Sequence, residues 1–181
     1  MLFGFNNPAQ QAAFTQKSGS RSTGNSLMRH AAGLVGSYVK INRGGPDSVE
    51  GTLLGVPSNY VAVGTDNGVI YINSLHVKSI SDANKGSASS DNDSVAYIRA
   101  SSFNSLLARL RHHFVQLNRG GHEKIEGFLS EVSSDNLLLV VDDEIIRIPT
   151  FHIKSVSVVV KNGNNNNNNN NKIKSNSNKN N

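Results

Sequence analysis

Two copies of one segment, displaced by 76 residues, make up most of the chain. Positions 34–81 align with positions 110–157 without a gap, and 18 of the 48 aligned pairs are identical. The most distinctive shared run is Asn-Arg-Gly-Gly, at residues 42–45 and again at residues 118–121. Chance rarely produces ungapped similarity of this length, so the sequence predicts two copies of one folded module. Any function must therefore reside in that module and its flanks.

Composition divides the chain into five segments. Both ends are rich in Asn, Ser and other polar residues, and the second end contains an eight-residue Asn run, so we expect both to be disordered. A Ser, Asp and Asn linker separates the two copies. The predicted division is a disordered tail at 1–25, a first module at 26–81, a linker at 82–100, a second module at 101–160 and a disordered Asn/Lys-rich tail at 161–181.

Each module is predicted to begin with a short amphipathic helix. In the first copy, apolar residues recur at helical spacing over residues 27–36, after a capping residue at Asn25 or Ser26. In the second copy, Ser101 or Ser102 precedes a similar stripe that starts at Phe103. The apolar spacing therefore predicts about three turns of helix at the start of each module.

Five short strands are predicted to follow each helix, because apolar and polar residues alternate in short runs between turn residues. Gly51 and Gly127 lie inside the second strand of each module, which indicates a bulge or sharp bend. The predicted strands of the first copy are 38–42, 49–56, 60–63, 69–72 and 77–80. Those of the second copy are 114–118, 137–141, 145–148 and 153–160, together with a second strand at the positions equivalent to 49–56.

A helix and five short strands, with a glycine bend in the second strand, predict a small and strongly bent antiparallel barrel. This pattern resembles the Sm-like fold. The expected fold is therefore mainly β, with two tandem Sm-like or SH3-like small bent β-barrel modules, each with a short N-terminal helix, plus disordered tails.

The distribution of charge argues against a nucleic-acid partner. The net charge is +5, yet residues 1–30 carry +3, residues 158–181 carry +4, and the repeats themselves are close to neutral. A module that holds phosphate backbones is expected to carry its own basic face. The chain has no cysteine, no apolar run of membrane-spanning length and no secretion signal at its start. We therefore expect no disulfide, no membrane partner and no nucleic-acid partner.

The motifs that support catalysis or cofactor binding are not found in the sequence. Gly44-Gly45 is not followed by a Lys-Ser or Lys-Thr pair and a helix, so it predicts a turn instead of a phosphate loop. His76 and His152 recur at one module position and invite two interpretations, a turn-capping hydrogen bond or a contact with a ligand or partner. We expect no enzyme activity, no catalytic residue, no metal site and no cofactor.

The residues that recur in both copies are the candidate site, as a repeat signature and as partner contacts. Arg43 and Arg119 are placed to pair with Glu50 and Glu126 across the first hairpin of each module. The full candidate set is Asn42, Arg43, Gly44, Gly45, Glu50, Gly51, His76 and Lys78 in the first copy, with Asn118, Arg119, Gly120, Gly121, Glu126, Gly127, His152 and Lys154 in the second.

Two motifs in each copy resemble the repeat of the spore coat protein B family of endospore-forming bacilli. In the first copy they are residues 41–51 and 76–80, and in the second they are residues 118–123 and 151–156. The resemblance covers about residues 27–157. Longer members of that family carry a third repeat and a long Ser/Lys/Arg-rich tail, so this chain resembles a short form with two repeats.

The resemblance implies a structural protein of the outer spore coat, made in the mother-cell cytoplasm and deposited on the forespore, without catalysis. It implies other spore coat proteins, or a second copy of the chain, as partners. One rival interpretation is an RNA-binding Sm-like protein, but the chain has Val56-Pro57-Ser58-Asn59-Tyr60 where such proteins carry an Asp-x-x-x-Asn loop. A third is a small-ligand module that uses the repeated His-x-Lys pair.

Overall fold

A computed structural model describes residues 22–83 and 96–159, with side chains from residue 26 onward. Nearly all of the predicted N-terminal tail, residues 84–95 of the predicted linker and the predicted C-terminal tail lie outside the described residues. In the described chain, the helices are α1 (Ser22–Ala32) and α2 (Phe103–Arg109), and two 3-10 turns span Ser74–His76 and Thr150–His152. The strands are β1 (Tyr38–Ile41), β2 (Val49–Gly55), β3 (Tyr60–Thr65), β4 (Gly68–Asn73), β5 (Ile80–Asp82), β6 (Phe114–Leu117), β7 (Ile125–Val132), β8 (Asn136–Val141), β9 (Glu144–Pro149) and β10 (Ser155–Val158).

These ten strands belong to one antiparallel sheet, in the order β5-β1-β2-β3-β4-β10-β6-β7-β8-β9. Module 1 (α1 to β5) contributes the first half and module 2 (α2 to β10) the second, with the same internal order. Strand β10 joins them by pairing with β4, where Ser155 lies opposite Ile72 and Ser157 opposite Ile70. The prediction of a mainly β fold with two helices is confirmed. Two separate closed barrels are not seen, because the sheet is open and runs continuously through both modules.

The predicted glycine bend is located more exactly by the structure. The register of β2 against β3 shifts between Leu53 and Gly55, so the bulge lies after Gly51 and not at it. A Cβ atom at Gly51 would lie 2.1 Å from the carbonyl oxygen of Gly64. This glycine therefore allows β2 to cross β3 closely, which is the sharp bend that the sequence indicated. Module 2 shows the same shift between Leu129 and Glu131.

The helices differ more from their predicted limits than the strands do. Helix α1 begins at Ser22 and ends at Ala32, four residues before the predicted end. The chain then turns into β1 through Gly36, whose φ of 90° is favourable only for glycine. Helix α2 begins where predicted, because the Ser102 hydroxyl accepts a hydrogen bond from the Ser105 backbone amide at 3.2 Å and caps the first turn.

The apolar core has two parts, and one of them spans both modules. The smaller part lies inside module 1 and consists of Val39, Ile41, Val49, Leu53, Val61, Val63, Ile70, Ile72 and Val77. The larger part combines Tyr60, Ala62 and Tyr71 of module 1 with Phe103, Leu106, Leu107, Leu110, Val115, Leu117, Leu129, Leu137, Leu139, Ile153 and Val156 of module 2. Strands β3 and β4 are consequently buried on both faces. One face of each strand packs inside module 1, and the opposite face packs against module 2.

Candidate functional site

The two repeated motifs of module 1 are held together by the Asn42 side chain. Asn42 follows β1 with a φ of 54°, a left-handed conformation that asparagine tolerates better than most residues. Its amide nitrogen donates to the His76 carbonyl at 2.9 Å, and its amide oxygen accepts from the Lys78 backbone N–H at 2.7 Å. The side chain is buried, so both bonds are shielded from water. The Asn-Arg-Gly-Gly turn is thereby fixed to the His-x-Lys segment.

Module 2 repeats this Asn clamp with equivalent atoms. Asn118, with a φ of 52°, donates to the His152 carbonyl at 3.3 Å and accepts from the Lys154 backbone N–H at 2.8 Å. The Arg119 backbone N–H donates to the Ser155 hydroxyl at 3.1 Å, as the Arg43 N–H does to the Ser79 hydroxyl. The clamp explains why the two motifs occur together in each copy, because each motif supplies the hydrogen-bond partners of the other.

The Asn-Arg-Gly-Gly turn of module 2 lies at the module junction against Pro46, which follows the equivalent run in module 1. Gly44, Gly45 and Gly121 have φ values of 82°, 81° and 77°, which explains their selection in a tight turn. At Gly120 the reason is proximity, because a Cβ atom there would lie 2.1 Å from the Pro46 carbonyl oxygen of module 1. The predicted hairpin tips are therefore also a contact between modules.

Lys154 forms two ion pairs at the same junction, and one of them crosses it. Its ammonium lies 2.6 Å from a Glu123 carboxylate oxygen in module 2 and 3.6 Å from an Asp47 carboxylate oxygen in module 1. The hydrogen bond from Lys154 lowers the pKa of Glu123 below its ordinary value, and the same bond raises the pKa of Lys154. Both shifts favour the charged forms at neutral pH.

The predicted Arg–Glu pairs across the first hairpins are replaced by Lys–Glu pairs. Glu50 lies in a salt bridge with Lys40, which is opposite it on β1. Glu126 pairs with Lys124 at 3.1 Å and also accepts a hydrogen bond from the Gln116 amide. A residue directly opposite on an antiparallel strand is closer to a carboxylate than one in the turn, which explains the choice of Lys40.

Turn capping, the first interpretation of His76, is not what the structure shows. The 3-10 turn is capped by Asn73, whose side chain accepts from the Leu75 backbone N–H at 3.1 Å. The His76 ring lies 3.2 Å from the Phe151 carbonyl oxygen in module 2 and forms a contact between modules. In module 2, Pro149 replaces Asn73 and its turn has no side-chain cap.

A small cavity lies where these motifs meet. Its volume is about 30 Å³, which is room for one water molecule. Its lining combines both modules and consists of Asn42, Asp47, Val49, Ile72, His76, Lys78, Lys154 and Ser155. Within residues 22–83 and 96–159, no group of three His, Cys, Asp or Glu residues is placed to hold a metal ion.

Residues 96–102, the connector, form a second part of the junction that the sequence interpretation missed. The Tyr60 hydroxyl donates to the Ala100 carbonyl at 3.0 Å and accepts from the Ala100 N–H at 2.9 Å. The Tyr71 hydroxyl accepts from the Ile98 N–H at 2.7 Å, and burial raises the pKa of Tyr71. The available signal was the apolar pair Tyr97-Ile98, which interrupts an otherwise polar linker.

Comparison with known proteins gives one informative relative. No protein-family model matches the chain. The chain is 36% identical over 134 residues to spore coat protein B of Bacillus subtilis (strain 168). The matched stretch covers 74% of this chain and 34% of that protein, so the chain spans about a third of the length of its relative. In the part that the structure describes, no helix has the length and apolar character needed to cross a membrane.

Proposed function

We propose that this chain is a structural component of the bacterial spore coat and a relative of the spore coat protein B family. The observation that carries the proposal is the similarity of 36% over 134 residues to a protein with that name. The proposed location is the outer layers of the coat, after synthesis in the mother-cell cytoplasm. The proposed partners are other spore coat proteins, and the role is one of assembly without catalysis.

The architecture supports a role in assembly because its repeated residues serve contacts between modules. Gly120, His76 and Lys154 each contact the other module, through a turn, a ring nitrogen and an ammonium group. The β4–β10 pairing adds backbone hydrogen bonds to these contacts. We propose that the duplicated β-modules associate with other coat proteins by contacts of the same type.

We further infer that each module is a variant of the Sm-like or SH3-like small barrel. Three features support this assignment. The strands of each module follow the order five, one, two, three, four, a helix precedes the first strand, and the second strand carries a bulge.

The Sm-like topology also supports one rival function, RNA binding. Against it, the loop after β2 is already engaged within the protein. The Asn59 side chain accepts from the Phe103 backbone N–H at 2.7 Å, and the Ser58 hydroxyl donates to the Ser101 carbonyl at 2.7 Å. A titration with single-stranded RNA at physiological salt distinguishes the two functions, because sub-micromolar and sequence-dependent binding would support the rival.

A fluorescent fusion followed through sporulation tests the proposed function. We expect fluorescence as a ring around the forespore. The matched control is a fusion that carries Asn42→Ala and Asn118→Ala, which removes both Asn clamps and should leave part of the signal diffuse. A wild-type fusion that stays diffuse in the mother cell would refute the coat assignment.

A further inference from the structure

The junction inside the chain predicts a second junction between chains. Among the described residues, β5 and β9 have a strand neighbour on one side only. Under the 76-residue repeat, β9 is the counterpart of β4 and β5 the counterpart of β10. We propose that β9 of one copy pairs antiparallel with β5 of a second copy and repeats the β4–β10 contact. This inference rests on the proposed function and names a second copy of the chain as the partner.

The register of the internal junction transfers directly to the proposed one. Inside the chain, Ile70 lies opposite Ser157 and Ile72 opposite Ser155. The equivalent pairs between copies are Ile146 with Ser81 and Ile148 with Ser79, so the same residue types meet. On the open edge, Ile145 of β9 is 69% exposed, whereas its counterpart Val69 in β4 packs against the core. Docking of a second copy would cover that apolar edge.

The charges at the two open edges are also complementary. The internal ion pair joins Lys154 to Asp47, and the equivalent pair between copies would join Lys78 to Glu123. The lysine is the same at both positions, and Glu123 in place of Asp47 keeps the negative charge. Lys78 is exposed and, within the described residues, has no ion pair, whereas Lys154 has two. A second copy would supply the acidic partner that Lys78 lacks.

Two further contacts of the internal junction have counterparts at the proposed junction between copies. His152 is the equivalent of His76, so its ring would meet the Leu75 carbonyl of the next copy as His76 meets the Phe151 carbonyl. Gly44 is the equivalent of Gly120, which packs against a module 1 turn. A Cβ atom at Gly44 would have no neighbour within 4 Å, so the space that the next turn would occupy is open.

The contact between copies is weaker than the internal junction, for two reasons. The Asn73 backbone N–H donates to the Lys154 carbonyl at 2.9 Å, and its counterpart Pro149 has no N–H. The apolar seam formed by Tyr60 and Tyr71 is also missing, because the equivalent residues are Asn136 and Arg147. Association through unlike edges generates a ring if the rotation closes and a fibre if it does not. The structure therefore predicts reversible assembly that increases with concentration.

Disulfide trapping tests the proposed register on a chain that has no cysteine of its own. Ile80→Cys combined with Arg147→Cys places two thiols opposite each other between copies. The matched control combines Ile80→Cys with Glu144→Cys, three residues along β9 and roughly 10 Å out of register. We expect covalent dimers and larger species from the first variant and at least tenfold fewer from the control. Equal yields from both folded variants, or no crosslink from either, would overturn the proposal.

Charge reversal tests the ion pair between copies by light scattering of the full chain. Lys78→Glu should weaken self-association roughly tenfold, because it replaces attraction to Glu123 with repulsion. Arg109→Glu changes the charge equally at an exposed side chain of α2 and should leave association unchanged. The double variant Lys78→Glu, Glu123→Lys should restore part of it, because Glu123→Lys also removes the internal pair with Lys154. A wild-type chain that stays monomeric at every concentration would overturn the proposal. So would a chain that assembles only after another coat protein is added.

The two proposals fail in different experiments. A chain that forms register-specific oligomers in vitro but no ring around the forespore refutes the coat function and leaves the edge pairing intact. A chain that localises to the forespore but never crosslinks through Ile80→Cys and Arg147→Cys refutes the edge pairing and leaves the coat function intact.

Discussion

Strands β4 and β9 occupy the same position in the two modules, yet β4 is buried on both faces and β9 is largely exposed. Both strands contain the pattern Ile-x-Ile, at residues 70–72 and 146–148. The central residue differs, with buried Tyr71 in one and exposed Arg147 in the other. The difference arises from what lies beside each strand, since β4 has β10 and the connector as neighbours and β9 has neither.

This comparison shows that the repeat is symmetric in sequence but not in energetic role. Module 2 packs α2 and the connector on the back of module 1, so its helix joins the larger core. Among the described side chains of α1, Ala31 is buried, and half-buried Leu27 and Met28 pack at the edge of the smaller core. Identical residues at equivalent positions should therefore differ in their contribution to stability wherever only one of the two packs against the other module.

The largest expected effect compares two leucines at one module position. Leu110 is fully buried at the end of α2, and its counterpart Leu34 is half-exposed. We expect Leu110→Ala to lower the free energy of unfolding by about 3–4 kcal/mol, through lost burial and a residual cavity. Leu34→Ala should lower it by about 1 kcal/mol, since less surface is removed from the core.

Urea unfolding followed by circular dichroism measures both values under the same conditions. The two variants control for each other, because the substitution and the module position are the same. If Leu34→Ala destabilises the protein as much as Leu110→Ala, the assignment of unequal roles to the two helices is wrong.

A second prediction concerns the feature in which the modules are alike. Asn42→Ala and Asn118→Ala should each lower the free energy of unfolding by about 2–3 kcal/mol, because each removes two buried hydrogen bonds and leaves backbone groups unpaired. Asn67→Ala, on an exposed turn, is the matched control and should change it by less than about 0.5 kcal/mol. Thermal unfolding measures the three variants, and a large difference between the two clamp variants would contradict the equivalence.

The smallest effect concerns the junction ion pairs and their dependence on pH. Because the pKa of Glu123 is lowered in the folded state, its contribution is present above the ordinary carboxyl pKa and is lost as the pH falls through the lowered value. Because the pKa of Lys154 is raised, its contribution is present below the ordinary lysine pKa and is lost as the pH rises through the raised value.

Titration of Glu123 by NMR provides the measurement. Lys154→Met should return the pKa of Glu123 towards its ordinary value, because the hydrogen bond that lowers it is removed. Asp47→Asn should leave the shift in place, since Lys154 keeps its closer partner at 2.6 Å. An unchanged pKa of Glu123 in Lys154→Met would show that the pair does not form in solution.

Local features of the fold could be predicted from the sequence because they depend on neighbours along the chain. Alternation located the strands around Val39 and Val115, and Ser102 marked the start of α2. The β4–β10 pairing could not be predicted, since β4 is exposed or buried according to a partner 80 or more residues away. The sequence shows that Asn42 and His76 recur, but it does not show that the Asn42 side chain bonds to the His76 carbonyl. A recurrent motif gives no distance between the two groups.

The connector was interpreted as a linker because its hydrogen bonds to module 1 come from its backbone. Ile98 and Ala100 contribute N–H and carbonyl groups to Tyr71 and Tyr60, and any residue except proline supplies an N–H. Side-chain patterns carry no information about such bonds. The available signal is the pair Tyr60 and Tyr71, whose hydroxyls are the partners of these bonds. It becomes visible only when they are compared with Asn136 and Arg147 at the equivalent positions.

The placement of the tyrosines gives the protein an intrinsic optical probe. The chain has no tryptophan and four tyrosines, and Tyr60, Tyr71 and Tyr97 all lie where the connector crosses module 1. Its near-ultraviolet fluorescence therefore originates mainly from this one seam. Because burial raises the pKa of Tyr71, phenolate absorbance from that ring should appear at a higher pH than that of an exposed tyrosine, unless the seam has opened. Separation of the two modules can thus be followed in the unlabelled protein.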